Sequence, residues 1–525
     1  MARITQSAGN TRRWLRARPF AERDRARASL IDVTLDPAQR GAVELPAGRS
    51  LLVLGEAGHG KTTVALHRLA YLWKLAHATK RTGRAPPRAA VLVPTEGLER
   101  LLQPLLRKLG VDIEVTVYER WAAAQAGRAF RDLPRKESED ATPGVLRLKR
   151  AGAIRVALEE LAARAPGRID DDPDAREDVP RASRAHARRA DLQQLFGDRV
   201  LLERVAATAR ERVTKLMIKD TLEHTRIQFT RTTERLYAHV DDRRRLVAVD
   251  GLSLDSGTVT GDAWSIDSED YAVLFELDRM RAERRGLAPT QPRPHDFILV
   301  DEAQELAPLE LALVGRSLAP GGTLIVAGDA EQQIDPSVTF DGWQETMREL
   351  GSIEYVTATL QIGYRCPPGV VAIARHLIGA AEPAAEAHKP RPRDALSISF
   401  ADEAELARWL VDELRSLLTR DRGISVAVVC RTPVEARRVT RWFRGGSPVR
   451  LVLDGSFLPR GVQVTSVDQV KGLEFDVVVV PDAGASSYPD EPSSRRALYV
   501  AVTRARRQLV LAYTGGHVES SRHDR

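Results

Sequence analysis

Short apolar runs alternate with longer stretches of helical spacing in two blocks of the chain. The first block has strand-like runs at 50–54, 90–94, 297–300 and 323–327. The second has them at 396–400, 424–430, 462–466, 476–480 and 508–513. Runs this short and this rich in Val, Ile and Leu read as strands buried on both faces, and helices between them imply parallel sheets. The pattern predicts an α/β protein with two sheet-bearing domains. Between about 111 and 290 the strand-like runs stop and charged sequence of helical spacing takes over, so a mainly helical insertion is expected in the first domain. The expected division is a basic arm at 1–30, a first domain at 31–110 plus 291–355, the insertion at 111–290, a second domain at 356–515 and a tail at 516–525.

Composition narrows this picture only a little. The 525 residues suffice for three or four domains of ~150 residues each. A net charge of +7 and a pI near 9.5 suit a nucleic-acid partner without requiring one. Two cysteines, Cys366 and Cys430, exclude a disulfide framework, and the histidines have no metal-ligand spacing. Arg12-Arg13-Trp14-Leu15 resembles a twin-arginine export signal, but Ala21-Glu22-Arg23-Asp24-Arg25 follows where an apolar stretch would be needed. No apolar run approaches the ~20 residues of a membrane span. The cytoplasm is the expected compartment. The eight arginines of residues 1–30 are expected on a solvated helix or arm rather than a nucleic-acid arm. Within the insertion, Asp170-Asp171-Asp172-Pro173-Asp174 reads as a solvated linker rather than a metal loop. Arg181–Lys215, with nine basic residues against four acidic, suits either a nucleic-acid face or a surface helix.

The chemistry begins at Gly55, Glu56, Ala57, Gly58, His59, Gly60, Lys61 and Thr62, a complete phosphate-binding loop between a strand-like run and a helical one. Glycines there let backbone N–H groups curl around a β-phosphate, and the helix N-terminus adds its positive dipole end. Lys61 can reach the β- and γ-phosphates, and the Thr62 hydroxyl can hold Mg²⁺. At the end of the run 297–300, Asp301 is the second candidate for Mg²⁺, and Glu302 can orient and deprotonate an attacking water. Gln332, after the run 323–327, can bond a γ-phosphate and report its presence. Hydrolysis builds charge on that phosphate, and an arginine from a second domain stabilises it; Arg365 and Arg504 are placed for this.

The ordered set of motifs resembles superfamily 1 helicases of the UvrD/Rep type. It comprises Thr34-Leu35-Asp36-Pro37-Ala38-Gln39, the phosphate loop, Asp301-Glu302-Ala303-Gln304, Gly328-Asp329-Ala330-Glu331-Gln332, Tyr364-Arg365, Lys471-Gly472-Leu473-Glu474-Phe475 and Val502-Thr503-Arg504-Ala505. The resemblance implies two RecA-like P-loop domains with parallel sheets, ATP and Mg²⁺ in the cleft between them, and 3′→5′ helicase or translocase activity on single-stranded DNA, in repair or recombination. It also implies that Gln39 reads adenine, Tyr364 stacks on it, Glu474 binds the ribose and Gln332 senses the γ-phosphate.

The departures from that family concern the nucleic acid more than the nucleotide. Thr63 stands where the family has an adenine-sandwiching arginine. Pro94-Thr95-Glu96-Gly97 replaces a motif that touches DNA, and Asp335-Pro336-Ser337 replaces the aromatics behind the sensor. Trp343 is expected in the core rather than as a base platform. Asp468 replaces a strand-facing histidine, and a carboxylate beside a phosphate backbone is unfavourable. Ala65–Leu72 and Phe340-Asp341-Gly342-Trp343 are similar to the HelD branch, some members of which act on RNA polymerase through a long N-terminal coiled coil. Only about thirty residues precede the Gln39 motif here, so a polymerase role would need another element, such as the insertion. The 160 residues of 356–515 match one RecA-like domain with no large insertion of its own.

Overall fold

The computed structural model describes residues 3–5, 14–18, 35–78, 86–130, 133, 136–138, 141–164, 182–209, 213–229, 265–360, 366–379, 394–443 and 449–514. The expectations for Thr34, the acidic linker at 170–174, Tyr364, Arg365 and the tail lie outside these residues.

Six parallel strands form the first sheet, in the spatial order Val115–Val117, Ala89–Val93, His295–Val300, Leu318–Gly328, Ser50–Gly55 and Tyr355–Leu360. Its interior strands are buried on both faces, and alternate residues enter different cores. Leu299 joins Leu51, Val53, Val91 and Ile325 against the helices Lys61–Ala78 and Glu96–Lys108. Ile298 and Val300 join Leu92, Leu324 and Val326 on the other face. Seven parallel strands form the second sheet, in the order Arg3–Thr5, Ala395–Phe400, Ala505–Thr514, Phe475–Val480, Ser425–Cys430, Gly461–Ser466 and Val449–Leu451. The chain is thus α/β with two parallel sheets, as the periodicity predicts, and these match the two RecA-like domains that the resemblance implies. All nine expected strands form.

Three boundaries differ from expectation. Tyr355–Leu360 is not the start of the second domain: it pairs with the phosphate-loop strand, Ser50↔Tyr355 through Gly55↔Leu360. Its Thr residues and partly exposed positions suit a sheet edge, which hides it from a search for wholly apolar runs. Val115–Val117 is the opposite edge of the same sheet, so the first domain extends past residue 110. Three residues carry too little periodicity to be read as a strand. The third difference is at the N-terminus. Arg3–Thr5 adds a parallel edge strand beside Ala395–Phe400, and Trp14 and Leu15 are buried in the second domain's core. The Glu413 carboxylate accepts both Trp14 N and Leu15 N at 3.1 Å. These described residues are structural parts of the second domain rather than a solvated arm, and the rest of 1–30 lies outside the described residues.

The insertion is mainly helical, with Pro143–Arg150, Ile154–Ala163, Ala182–Gly197, Arg199–Thr208, Lys215–Gln228 and Ser268–Arg284, plus a two-stranded pair of Lys136–Glu137 with Ser265–Ile266. It is not a separate body. Leu158, Phe196 and Phe275 pack in the same apolar cluster as Ile298, Val300 and Leu324 of the first sheet. At its centre lies a buried polar knot. Lys149 donates to Asp267 and, at 2.8 Å, to Asp270; His224 Nε2 is 2.9 Å from Asp267, and Gln228 Nε2 donates to Asp270 at 3.0 Å. Among the described residues of the basic run, Arg199 pairs with Glu203 and Arg204 with Glu160, while Arg188 lies over the Phe130 ring and pairs with Asp278.

Arg18 holds the N-terminal segment to the second domain through a buried two-pronged pair with Asp421, both hydrogen bonds at 2.9 Å. That pairing holds the Asp421 carboxyl down at about 2, so its stabilisation is present at neutral pH and is lost as the pH falls from about 3.8 toward 2. Arg18→Ala leaves a buried carboxylate without its cation and is expected to cost about 3 kcal/mol. Urea unfolding followed by tryptophan fluorescence checks this, and an unchanged midpoint would show that the N-terminal segment is dispensable.

Candidate nucleotide site

The phosphate loop leaves the strand Ser50–Gly55 at its C-terminal end and turns into the helix Lys61–Ala78. Gly58 and Gly60 sit at φ 82° and 88°, a left-handed backbone that side chains other than glycine rarely adopt. His59 Nδ1 lies 2.7 Å from the Leu360 carbonyl and pins the loop to the neighbouring edge strand. The Lys61 ammonium donates inward, to Gly55 O at 2.7 Å, Glu56 O at 3.1 Å and Asp329 Oδ2 at 3.4 Å. It therefore sits in the hollow of its own loop, where phosphate oxygens would replace the carbonyls.

Thr62 and Asp301 come together as expected, with Thr62 Oγ1 donating to Asp301 Oδ2 at 2.9 Å. Burial first, then the neighbouring Glu302 carboxylate, pushes the Asp301 carboxyl up to about 7. Glu302 is at φ 55°, the one described non-glycine residue with positive φ. Such strain outside glycine marks a side chain whose aim matters more than its backbone comfort. Gln304 then ties two strand ends together: its Nε2 donates to Glu302 Oε2 at 2.7 Å, and its Oε1 accepts Asp329 N at 3.1 Å.

Gln332 links the domains. Its Nε2 donates to Asp329 Oδ2 at 2.7 Å, and its Oε1 accepts Arg504 Nη2 at 2.5 Å. Arg504 stands at the end of the second-domain helix Pro492–Val502 and also donates from Nε to Val500 O at 3.0 Å. Both side chains are buried. A continuous path thus runs from Lys61 through Asp329 and Gln332 to Arg504, across more than 170 residues of sequence between the last two.

The remaining expected residues are placed less tightly. Gln39 is buried at the start of the helix Pro37–Val43, bonded to Asp36 in a capping box, with its amide next to Gly60. Thr63 is buried inside the first turn after the loop. Glu474 is half-buried just before the strand Phe475–Val480 and is not among the side chains that meet on the Lys61–Arg504 path. Three participants were not assigned roles from sequence. Tyr499 accepts Ala57 N at 3.5 Å, Arg375 pairs with Glu56, and Asp329 joins Lys61 to Gln332. Asp329 lies within a motif already visible and Tyr499 three residues before another, whereas Arg375 has no sequence signal.

Trp343 is half-buried and packs against the first domain's core. Its ring lies over Gly328 and edge-on to Phe340, with centroids 4.8 Å apart. At the expected strand-binding surface, Asp468 is exposed, and Thr95 caps the helix Glu96–Lys108, whose Glu96 pairs with Arg100 and Arg120. A cavity of about 660 Å³ opens between the insertion, the first domain and the second, bordered by Arg147, Asp335, Arg431, Asp468 and Arg496.

Residues 461–512 match the family of the UvrD-like helicase C-terminal domain. The matched stretch holds Lys471, Glu474, Tyr499 and Arg504, so the second domain is similar to the C-terminal domain of UvrD-like helicases at the part that faces the phosphate loop. No curated protein matches the chain. Among solved structures, it is similar to the C-terminal domain of a possible DNA helicase from Lactobacillus plantarum WCFS1, at 21% identity over 30% of this chain and 89% of that one. The TM-score is 0.24, too low to carry an argument about fold or function.

A Cβ at Gly328 would stand 2.2 Å from Trp343 and 2.4 Å from Gln304 Oε1. Gly328→Ala must displace the ring or the amide that spaces Glu302 from Asp329. A loss of about 2 kcal/mol is expected, read as a lower thermal midpoint. Wild-type stability in that variant would show that the ring is not seated on the strand.

Proposed function

We propose that this chain is an ATP-driven motor of superfamily 1, UvrD-like, that hydrolyses ATP between its two domains and moves 3′→5′ along single-stranded DNA in the cytoplasm, in repair or recombination. The observation that carries the reading is the path Lys61–Asp329–Gln332–Arg504, which joins a phosphate loop to an arginine of the other domain.

The loop N–H groups and Lys61 bind the phosphates, and Gln39 contacts the base. Thr62 and Asp301 fit Mg²⁺: a hydroxyl and a carboxylate are hard oxygen donors, and a cation relieves the crowding of Asp301 against Glu302. Two protein ligands suit an ion that takes its other oxygens from phosphate and water. When bound, Mg²⁺ neutralises charge on the phosphates. Glu302, aimed by Gln304, accepts the proton of the attacking water. Gln332 exchanges Asp329 and Arg504 for the γ-phosphate, and Arg504 then meets the charge that hydrolysis builds there. The domains close with ATP and reopen after cleavage, and alternating closure moves the strand. Arg147, Arg431 and Arg496 of the three-way cavity offer charge to a phosphate backbone. Among the described residues, no helix is long and apolar enough to cross a membrane.

The exposed Asp468 at the expected strand-binding surface favours a second reading, a HelD-like ATPase that remodels a protein complex such as RNA polymerase. ATPase rates of the purified protein alone, with single-stranded DNA, with RNA and with RNA polymerase separate the two. The motor reading predicts strong stimulation by single-stranded DNA that weakens with salt. Stimulation by polymerase alone favours remodelling, and no response to any nucleic acid removes the motor reading. Lys61→Ala should abolish hydrolysis, and Glu302→Gln should leave ATP bound but uncut. Normal turnover in either variant would mean that the chemistry lies elsewhere.

A further inference from the structure

The loop residue Glu56 is an acid in a site built for a polyanion. Its carbonyl is 3.1 Å from the Lys61 ammonium, so the residue borders the hollow that the phosphates enter. A carboxylate there repels them unless a cation neutralises it. The cation present comes from the second domain. Arg375, on the helix Pro368–Leu377, spans the carboxylate with Nε to Oε2 and Nη2 to Oε1, both at 3.2 Å. His59 Nε2 lies 4.0 Å from the same carboxylate.

The neighbouring loop residue makes a parallel contact. Ala57 N, one of the N–H groups expected to face phosphate, instead reaches the Tyr499 hydroxyl at 3.5 Å. Both contacts join the loop to the second domain, and both engage groups that a phosphate would take: a backbone N–H and a forked guanidinium. Neither is strong. The Tyr499 bond is long, and the Glu56–Arg375 pair is partly exposed, with side chains 38% and 21% accessible. A weak, partly solvated pair gives way readily to a doubly charged phosphate group.

We propose that Glu56 and Arg375 form an exchangeable latch, in which the γ-phosphate of ATP displaces the Glu56 carboxylate and takes Arg375. This rests on the ATP reading above and adds a third second-domain arginine to Arg365 and Arg504. Arg375 then discriminates ATP from ADP, because ADP carries no group to compete with Glu56. Glu56 lowers ATP affinity by holding the arginine back.

Equilibrium binding of fluorescent ATP and ADP analogues to the full chain tests it, with Mg²⁺ present. Arg375→Ala bares Glu56 toward both nucleotides but removes a partner from the γ-phosphate alone, so it should weaken ATP about tenfold more than ADP. Glu56→Gln, which keeps the shape and removes the charge, should tighten ATP relative to ADP. A purely structural interface contact would change both nucleotides together. An ATP-to-ADP affinity ratio that stays at the wild-type value in Arg375→Ala, or an ATP affinity that falls in Glu56→Gln, overturns the latch. If the wild-type protein binds neither nucleotide, the ATP reading fails as well; if it binds both and only the ratios fail to move, the latch alone is lost.

Discussion

The hydrogen bond from Arg504 to Gln332 is the contact that the rest of the site depends on. Arg504 is almost wholly buried, and a buried guanidinium requires partners for its protons. It finds Gln332, the Thr503 hydroxyl and the Val500 carbonyl. To supply the first, the end of the helix Pro492–Val502 must lie against the loop that follows Leu318–Gly328. That requirement brings the working edges of two separate sheets together. In parallel sheets those edges are the C-terminal ends of the strands, where the phosphate loop, Asp301 and Asp329 also emerge. Once Gln332 is held, Asp329 is held, and through it the Lys61 ammonium.

The insertion is wired to the same loop. Arg150 reaches Asp335 and Ser337 at 2.7 Å, Glu310 at 2.9 Å and the Glu305 carbonyl at 3.0 Å. Asp335 and Ser337 follow Gln332 by only a few residues. The Glu305 side chain, in turn, takes Lys471 of the second domain at 2.9 Å. The loop after Gln332 is therefore tied to the insertion, and the neighbouring Glu305 to the second domain. Insertion and first sheet share one core and so form one unit beside the second domain. That arrangement suits the proposed motor, in which one cleft opens and closes.

Much of this was legible in the amino-acid sequence, for identifiable reasons. Wholly buried strands advertise themselves, and the runs around 50–54, 297–300 and 476–480 all form. The loop 55–62 is legible because phosphate binding demands glycines at fixed spacing and a lysine at its end. Asp301 and Thr62 follow from chemistry, and the structure puts them 2.9 Å apart. Elements whose partners are remote in sequence escaped notice. Arg3–Thr5 becomes a strand only because Ala395–Phe400 offers an edge, and Trp14 is buried only because the second domain supplies the hollow. Val115–Val117 and Tyr355–Leu360 are edges, short in one case and half-exposed in the other. The role of Arg375 has no local signal at all: it is defined by Glu56, more than 300 residues away.

The central claim is that one site is completed by two domains, so the most direct measurement is steady-state ATP hydrolysis by Arg504→Ala, alongside ATP binding by the same variant. With the first-domain groups intact, ATP should still bind, while kcat should fall about 100-fold or more because the charge built on the γ-phosphate has lost its arginine. A variant that keeps the wild-type kcat would show that the second domain does not take part in the chemistry, and the two-domain account would be wrong.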